Sequence, residues 1–444
     1  MTQPITAPIT AIAARWIIPV EPANTVLENH CIVYSGDSIL DIMPIEHISV
    51  SYPNAEIKKY PNHAIIPGLV NAHTHAAMSL MRGIADDLPL MEWLNNHIWP
   101  TEMKHVGEEF MRDGTELAIA EMLLGGTTCF NDMYFFPDIV AKTAQELGMR
   151  AVVGMIVIDF PSAWAQNADE YFEKGIAVKD HCNSLSLVNT AFAPHAPYTV
   201  NDDNLKRVRM MADEMLVPVH MHIHETAFEV SESENMLGMR PLQRLEELGL
   251  LNPRMVAVHM TQLNDIEIEL VAKKGINVVH CPESNLKLSS GFCPVAKLLD
   301  AGVNVALGTD GAASNNDLDM FGEMRSAALI GKAIANDATA LPANTALAMA
   351  TINGAKALGF ENQIGSLEIG KQADMVAVDL NYISTQPVYD PISQLVYSAS
   401  REQVTDVWVA GKHKVHNKQL IDIEKNDLIN KAQVWSKKIK TSAQ

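Results

Sequence analysis

The chain has 444 residues, of which 48% are hydrophobic and 19% charged, which suffices for one large core domain plus a smaller one. Acidic residues outnumber basic residues by 53 to 33, so the formal net charge is −20. This charge argues against binding to nucleic acid, and the lack of a long uninterrupted apolar stretch argues against a membrane span.

Residues 9–60 have the pattern of short strands separated by turns. The segments 14–18 and 31–34 are rich in β-branched and aromatic residues, and Ser35-Gly36-Asp37-Ser38 is a turn signal. No helix of useful length fits in this region. We therefore expect residues 1–63 to form the first part of a small β domain.

From residue 64 onwards, short apolar strands alternate with amphipathic helical stretches, among them 108–124 and 265–274. The expected strands are 64–73, 127–131, 149–158, 185–195, 217–225, 254–260, 276–281 and 303–310. Eight such repeats predict an α/β fold, a (β/α)8 TIM barrel spanning residues 64–362. A doubly wound sheet is the alternative, but it would normally carry a Gly-rich phosphate loop after its first strand, and none is present.

The last part of the chain begins with two expected helices, over 318–335 and 343–358. Residues 363–444 then return to β character, with short strands at 375–378 and 404–409 and a final helix from about residue 424. Because both chain ends are rich in β pattern, we expect them to form one small β-sandwich domain with the barrel inserted between them.

Histidine or aspartate stands at the end of six of the eight expected strands. The residues are His73 and His75; His195; His220, His222 and His224; His259; His280; and Asp310. Because function collects at the C-terminal ends of barrel strands, this agreement predicts a metal site rather than isolated hydrogen-bonded polar groups.

Three imidazoles and a carboxylate suit one divalent cation, Zn²⁺ first, with Fe²⁺ or Mn²⁺ as alternatives. His220, His222 and His224 share one face of their strand, so their spacing does not choose the ligand among them. Glu225, which follows directly, is the natural candidate for an acid/base group.

Six motifs carry a resemblance to a known family. They are PGLVNAHTH (67–75), APHAPY (193–198), HIHET (222–226), VVHCPESNLKL (278–288), LGTDGAASNNDLDM (307–320) and GSLEIGKQADMV (365–376). With them, the chain resembles the amidohydrolase superfamily from about residue 9 to residue 412. Within that superfamily it is most similar to the branch that contains methylthioadenosine/S-adenosylhomocysteine deaminases.

The resemblance implies a role for each residue of the metal site. His73, His75, His222 and Asp310 would bind the metal, which leaves His220 and His224 with structural roles. Glu225 would be the acid/base group, Asp310 both ligand and base, and His259 would lie beside the water that the metal activates. Binuclear relatives carry a bridging lysine on the fourth strand, and because residues 185–193 contain none, we expect a single metal.

The resemblance also implies a purine nucleoside substrate that is deaminated to an inosine derivative and ammonia. Glu102 would accept hydrogen bonds from the ribose hydroxyls, and Arg150 and His195 would contact the substrate together with Glu225 and Asp310. No Lys or Arg occurs between Arg150 and Lys174, which favours methylthioadenosine over a nucleoside with a charged tail.

Two other functions remain open from the sequence. One is deamination of guanine or another heterocycle, or triazine hydrolysis, on the same fold. The other is a non-catalytic scaffold, although such proteins usually lose metal ligands that this chain retains.

The cysteines and the N-terminus bear on the location of the protein. The five cysteines are scattered without a C-x-x-C pair, and residues 1–14 lack the pattern of a signal peptide. Both features predict a cytoplasmic protein with reduced thiols. The sequence leaves the oligomeric state open, a homo-oligomer included.

Overall fold

The strands form two eight-stranded sheets in the computed structural model, which describes residues 7–442. The N-terminal strands belong to the small domain and are β1 (Ile9–Ile17), β2 (Leu27–Ser35), β3 (Ser38–Pro44) and β4 (Glu56–Pro67). The barrel strands are β5 (Leu69–Thr74), β6 (Thr127–Asp132), β7 (Arg150–Val157), β8 (Val188–Pro194), β9 (Val219–Ile223), β10 (Met255–His259), β11 (Asn277–His280) and β12 (Val305–Leu307). The small domain is completed by β13 (Met375–Asp379), β14 (Val404–Val409), β15 (Lys412–His416) and β16 (Gln419–Leu420).

Helices connect the barrel strands and close the chain. They are α1 (Ile48–Ser51), α2 (Leu90–Trp93), α3 (Trp99–His105), α4 (Glu108–Leu124), α5 (Pro137–Leu147), α6 (Ala168–Cys182), α7 (Asp202–Met215), α8 (Ala227–Leu237), α9 (Pro241–Glu247), α10 (Asp265–Lys274), α11 (Pro282–Lys287), α12 (Val295–Asp300), α13 (Met320–Ala335), α14 (Ala343–Met349), α15 (Ile352–Ala357), α16 (Pro391–Tyr397) and α17 (Lys425–Ser442). A 3-10 helix spans Ala76–Met81, and a π-helical turn spans Leu94–Ile98. None of the helices in the described part of the chain combines the length and the apolar character needed to cross a bilayer.

The barrel sheet runs from β5 to β12 in chain order, and its neighbouring strands are parallel. It closes where Asp310, just after β12, donates its backbone N–H to the carbonyl of His73 in β5, at 3.0 Å. Gly308 permits this approach, since a Cβ there would lie 2.8 Å from the His73 nitrogen. The predicted (β/α)8 barrel is confirmed.

Two expected elements are each split in the structure. The strand expected over 64–73 changes sheets at Gly68, so that β4 ends in the small domain and β5 begins the barrel. The helix expected over 343–358 is interrupted at Thr351, whose φ of −134° and ψ of −96° are not helical. Helices α4 and α10 have the bounds expected from their sequence periodicity.

The small domain is built from both chain ends, as expected. Its strand order is β16-β15-β14-β13-β4-β1-β2-β3, so the C-terminal strand β13 lies against the N-terminal strand β4. Trp408 of β14 packs in the same apolar core as Ile32 of β2 and Tyr60 of β4. The five cysteines are buried and free of disulfides.

Candidate active site

Four side chains from three strands of the barrel converge at its C-terminal end. Asp310 Oδ1 lies 3.2 Å from the Nε2 atoms of both His73 and His75, and His73 Nε2 lies 3.2 Å from His222 Nε2. Zinc bonds of about 2.0–2.2 Å place neighbouring tetrahedral ligand atoms roughly 3.3 Å apart. These three separations, which link the four donor atoms in a chain, fit a divalent cation bound beside them.

The second nitrogen of each imidazole orients its ring. His75 Nδ1–H donates to the carbonyl of Met133, and His222 Nδ1–H donates to the carbonyl of His195 at 2.8 Å. His73 Nδ1 lies 2.9 Å from Nε2 of the buried His220. Carbonyl partners require a protonated Nδ1, so Nε2 is the nitrogen of His75 and His222 that faces the cluster and is available to a metal.

Burial keeps two of the imidazoles neutral. It lowers the pKa of His73 to about 4 and that of His222 well below its ordinary value. Burial acts in the same sense on His75, but its hydrogen bond to Asp310 prevails and raises the pKa of His75 to about 9.

Asp310 is held as a carboxylate by its neighbours. Although burial raises its pKa, the hydrogen bonds of His73 and His75 bring that pKa well below the ordinary range. Ser284 and Ser314 donate their hydroxyls to Asp310 Oδ2 at 2.6 and 3.0 Å. The residue has a φ of +64°, a left-handed conformation that is costly without glycine and that clusters at functional sites.

Glu225 and His259 lie next to each other in the same cavity wall as the cluster. Glu225 Oε2 lies 3.8 Å from His259 Nε2, and His259 Nδ1 lies 2.9 Å from the amide of Asn285. The pKa of Glu225 is raised, first by burial and then by the charge of Asp310, with His259 and Ser290 opposing. A carboxyl group with a raised pKa in a water-poor site is suited to donate a proton near neutral pH.

Glu229 anchors the backbone beneath Glu225. Its carboxylate accepts the N–H groups of His224 at 2.9 Å and Glu225 at 2.8 Å. Because two consecutive peptide groups are bound to one buried side chain, the segment that carries Glu225 is held in one orientation.

A cavity of about 350 Å³ opens onto these groups, a volume within the range of small-molecule sites. Its wall is mainly apolar and includes Leu90, Trp93, Leu94, Ile98 and Trp99. These five residues belong to the segment that spans α2, the π-helical turn and the start of α3.

Glu102 lies in the same cavity wall and is paired with Tyr134. The Tyr134 hydroxyl donates to Glu102 Oε1 at 2.6 Å. Burial raises the pKa of Glu102 to about 7, and the hydrogen bond from Tyr134 works against that shift. One oxygen of Glu102 is therefore already bonded to Tyr134, and the carboxyl group can still accept hydrogen bonds from a ligand.

His195 also lines the cavity, at the end of β8. Its Nδ1 lies 3.2 Å from the Thr199 hydroxyl. Burial, together with the neighbouring His75 and His73, lowers its pKa to about 3, so the ring is neutral.

Arg150 is not at the cavity, which corrects the predicted substrate contact. It begins β7, at the opposite end of the barrel, and its side chain is 1% exposed. Its guanidinium lies 3.2 Å from Asp374 Oδ1 and also donates to Gln372. Arg150 therefore joins the barrel to the segment that leads into β13.

Of the remaining strand-end histidines, His220 and His224 have protein partners away from the cluster centre. His220 lies behind His73, and Asn131 contacts its Nδ1 at 3.2 Å. His224 Nε2 accepts the backbone N–H of Leu242 at 3.2 Å. Burial lowers the pKa of His280 to about 3.

Several residues of the site were missed in the sequence. Tyr134 follows β6 by two positions, and Ser284 and Asn285 lie inside the motif 278–288, after its histidine. Hydroxyl and amide side chains at these strand ends were the available signal, but such residues also occur in ordinary loops and caps.

The chain is also similar to known proteins over most of its length. Residues 64–414 match the model of the amidohydrolase family. The chain is 50% identical over 429 residues, 97% of each chain, to a 5-methylthioadenosine/S-adenosylhomocysteine deaminase of Teredinibacter turnerae. It is 41% identical to a 5'-deoxyadenosine deaminase of Methanothermobacter thermautotrophicus, over 92% of this chain and 98% of that one.

A solved structure is similar over almost the whole chain. It is described as an adenosine deaminase from Xanthomonas campestris with bound zinc, and it has 55% sequence identity and a TM-score of 0.96. The similarity covers 97% of this chain and 98% of that one. With the matched family model and these relatives, the chain belongs to the amidohydrolase family, in the branch whose curated members include methylthioadenosine/S-adenosylhomocysteine deaminases.

Proposed function

We propose that the protein is a metal-dependent hydrolase that deaminates 5'-methylthioadenosine, S-adenosylhomocysteine or adenosine to the inosine derivative and ammonia. The observation that carries this proposal is the placement of Glu225 and Glu102 in the wall of one cavity, together with His75, His222 and Asp310. His73 lies behind that wall, within 3.2 Å of both Asp310 and His222. Glu225 can donate a proton to the purine ring, and Glu102 can accept hydrogen bonds from the ribose. The names of the relatives support the same reaction class.

The proposed cofactor is one zinc ion, held by His73, His75, His222 and Asp310. The donor set of three imidazoles and one carboxylate supports zinc, and Fe²⁺ or Mn²⁺ would also suit it. The zinc in the similar adenosine deaminase structure supports the same choice. Strand β8 carries no lysine that could bridge a second ion. When bound, the cation lowers the pKa of a water molecule and so supplies the nucleophile at neutral pH.

We propose a catalytic role for each of three side chains, and their contacts support these roles. Glu225, with its raised pKa, donates a proton to the ring nitrogen beside the reacting carbon, which makes that carbon electrophilic. Asp310 is ionised and accepts the proton of the attacking water, and His259 orients that water. The hydroxyl group of that water adds to the ring carbon, and the proton on Asp310 passes to the amino group, so that ammonia leaves. As the carbonyl of the product forms, the proton of the added hydroxyl returns to Glu225.

The sugar would be bound by Glu102 and the purine edge by His195. Glu102 is fixed by Tyr134, and a carboxylate accepts both hydrogen bonds of a vicinal diol. His195 is neutral and lines the cavity next to His222, with ring centroids 5.0 Å apart. These contacts favour a nucleoside over a free base.

The far end of the cavity favours an uncharged 5'-substituent. Within the described residues its wall contains no lysine or arginine. Lys287 precedes the wall residue Leu288, but its ammonium is paired with Asp86 at 2.6 Å. A homocysteine carboxylate would therefore lose its water without gaining a cation, whereas a methylthio group would pack against apolar side chains.

A substrate panel tests the proposal. Ammonia release is measured under steady-state conditions with methylthioadenosine, S-adenosylhomocysteine, adenosine and guanine. We expect turnover of the three nucleosides and at least tenfold lower kcat/KM for S-adenosylhomocysteine than for methylthioadenosine. Turnover of guanine or a triazine, with none of the nucleosides, would refute the proposed reaction, and equal values for the two thioethers would refute only the preference for an uncharged tail.

A further inference from the structure

The hairpin formed by β14 and β15 carries a second group of metal-ligating side chains, in the small domain. The group consists of Asp406, His413 and His416, and each offers a donor atom within 4.8 Å of the others. It belongs to the sheet of the two chain ends and is separate from the strand ends that form the candidate active site.

A β-bulge brings these residues together. Val407 pairs with Val415, but the next residue, Trp408, pairs with His413, so β15 contributes one extra residue at this point. His413 and His416 are three positions apart and would face opposite sides of a regular strand. Because of the bulge, both imidazoles reach the carboxylate of Asp406.

The distances resemble those of the barrel cluster. His413 Nε2 lies 2.9 Å and His416 Nδ1 2.7 Å from the same oxygen, Asp406 Oδ1. In the barrel, two imidazole nitrogens likewise meet one oxygen of Asp310, at 3.2 Å each. A zinc ion bound at the hairpin would need its ligands to open by roughly half an ångström, since tetrahedral ligand atoms lie about 3.3 Å apart.

The surroundings hold two of the ligands and leave the third accessible. The Asp406 side chain is 2% exposed, and His413 stacks on the indole of Trp408 with ring centroids 4.6 Å apart. The His416 side chain is 56% exposed, so an ion and a completing water molecule can enter from solvent. Asp406 and His413 are therefore held in place as two ligands, and the exposed His416 can complete the site.

We propose that Asp406, His413 and His416 form a second site for a divalent cation of the zinc class. Its aspartate comes from β14 and its two histidines from β15, so the ion would cross-link these two strands next to the small-domain core. The proposal does not depend on the reaction that the barrel catalyses.

Metal stoichiometry tests the proposal. Full-length protein is stripped with a chelator, loaded with Zn²⁺, passed over a desalting column and analysed for zinc by mass spectrometry. We expect two zinc ions per chain in the wild type, and one in both His416→Ala and Asp406→Asn. His181→Ala, which changes a histidine of α6 outside both clusters, is the matched control and should keep two.

Two further readouts make the result decisive. Deaminase activity of His416→Ala should stay within twofold of the wild type. Loading the stripped protein with Zn²⁺ should raise the melting temperature of the wild type more than that of His416→Ala. The same zinc content in the wild type, His416→Ala and Asp406→Asn, whether one or two ions per chain, would overturn the proposal. Asp406→Asn keeps the side-chain volume, and circular dichroism shows whether it is folded.

Discussion

Replacement of Arg150 by methionine distinguishes a structural role from a substrate contact. Arg150 and Asp374 are each 1% exposed, and the guanidinium also donates to Gln372. A methionine side chain at this position would leave the Asp374 carboxylate buried without its cation. Breaking a buried ion pair in this way costs about 3–5 kcal/mol of folding free energy.

The expected shift can be stated for urea unfolding followed by tryptophan fluorescence. With a denaturant dependence of about 3 kcal/mol/M, the loss moves the midpoint down by about 1–1.7 M. Arg150→Met combined with Asp374→Asn should recover part of the loss, because the unpaired charge is removed while the oxygen still accepts the N–H of Ala410.

Activity should change little in the same variant. Strand β7 has eight residues, and at roughly 3.3 Å per residue its two ends lie about 23 Å apart. Methylthioadenosine KM measured well below the unfolding midpoint should therefore stay within twofold of the wild type. An unchanged urea midpoint together with a tenfold rise in KM would refute this reasoning and restore the substrate role.

Three other predictions concern the candidate active site. Glu225→Gln should retain near-normal metal content but lose at least a hundredfold in kcat, because the amide cannot donate the ring proton; near-full turnover in an ammonia assay would contradict the acid/base role. Tyr134→Phe removes a hydrogen bond that lowers the pKa of Glu102, so the carboxylate form should be lost at higher pH than in the wild type, where the value is about 7. The pH below which KM for adenosine rises should therefore be higher in that variant. The same shift should be smaller for 2'-deoxyadenosine, which lacks one ribose hydroxyl. Ser284→Ala removes the 2.6 Å bond to Asp310 and should weaken zinc binding about 10- to 100-fold in chelator competition, whereas an unchanged affinity would show that Ser314 suffices.

The barrel and the convergent cluster were predictable because their signals are local. Each strand is a short apolar run, six of the eight expected strands end in His or Asp, and parallel strands bring those ends to one place. His73, His75, His222 and Asp310 meet for that reason, although 237 positions separate the first of them from the last (310 − 73). The choice of His222 over its two neighbours came from the resemblance and not from spacing.

The supporting contacts were not predictable in the same way. Tyr134 meets Glu102, and Asn285 meets His259, across loops whose path depends on tertiary packing. Arg150 is instructive because its position at the start of a predicted strand already placed it away from the C-terminal end of the barrel. The resemblance suggested a substrate role against that topological argument, and the topological argument agrees with the structure.

The shared sheet has a consequence for how the protein is made. Strand β4 finds its partner β13 only after roughly 300 further residues have been synthesised, which takes about 15–60 s at 5–20 residues per second. During that time one edge of β4 has no partner from the C-terminal strands, and exposed strand edges promote aggregation. Ribosome-bound chains that stop before Met375 should therefore be cleaved by protease within residues 9–67, and chains that extend beyond His416 should resist. Protection of the shorter chains would show that the N-terminal strands fold without their C-terminal partners.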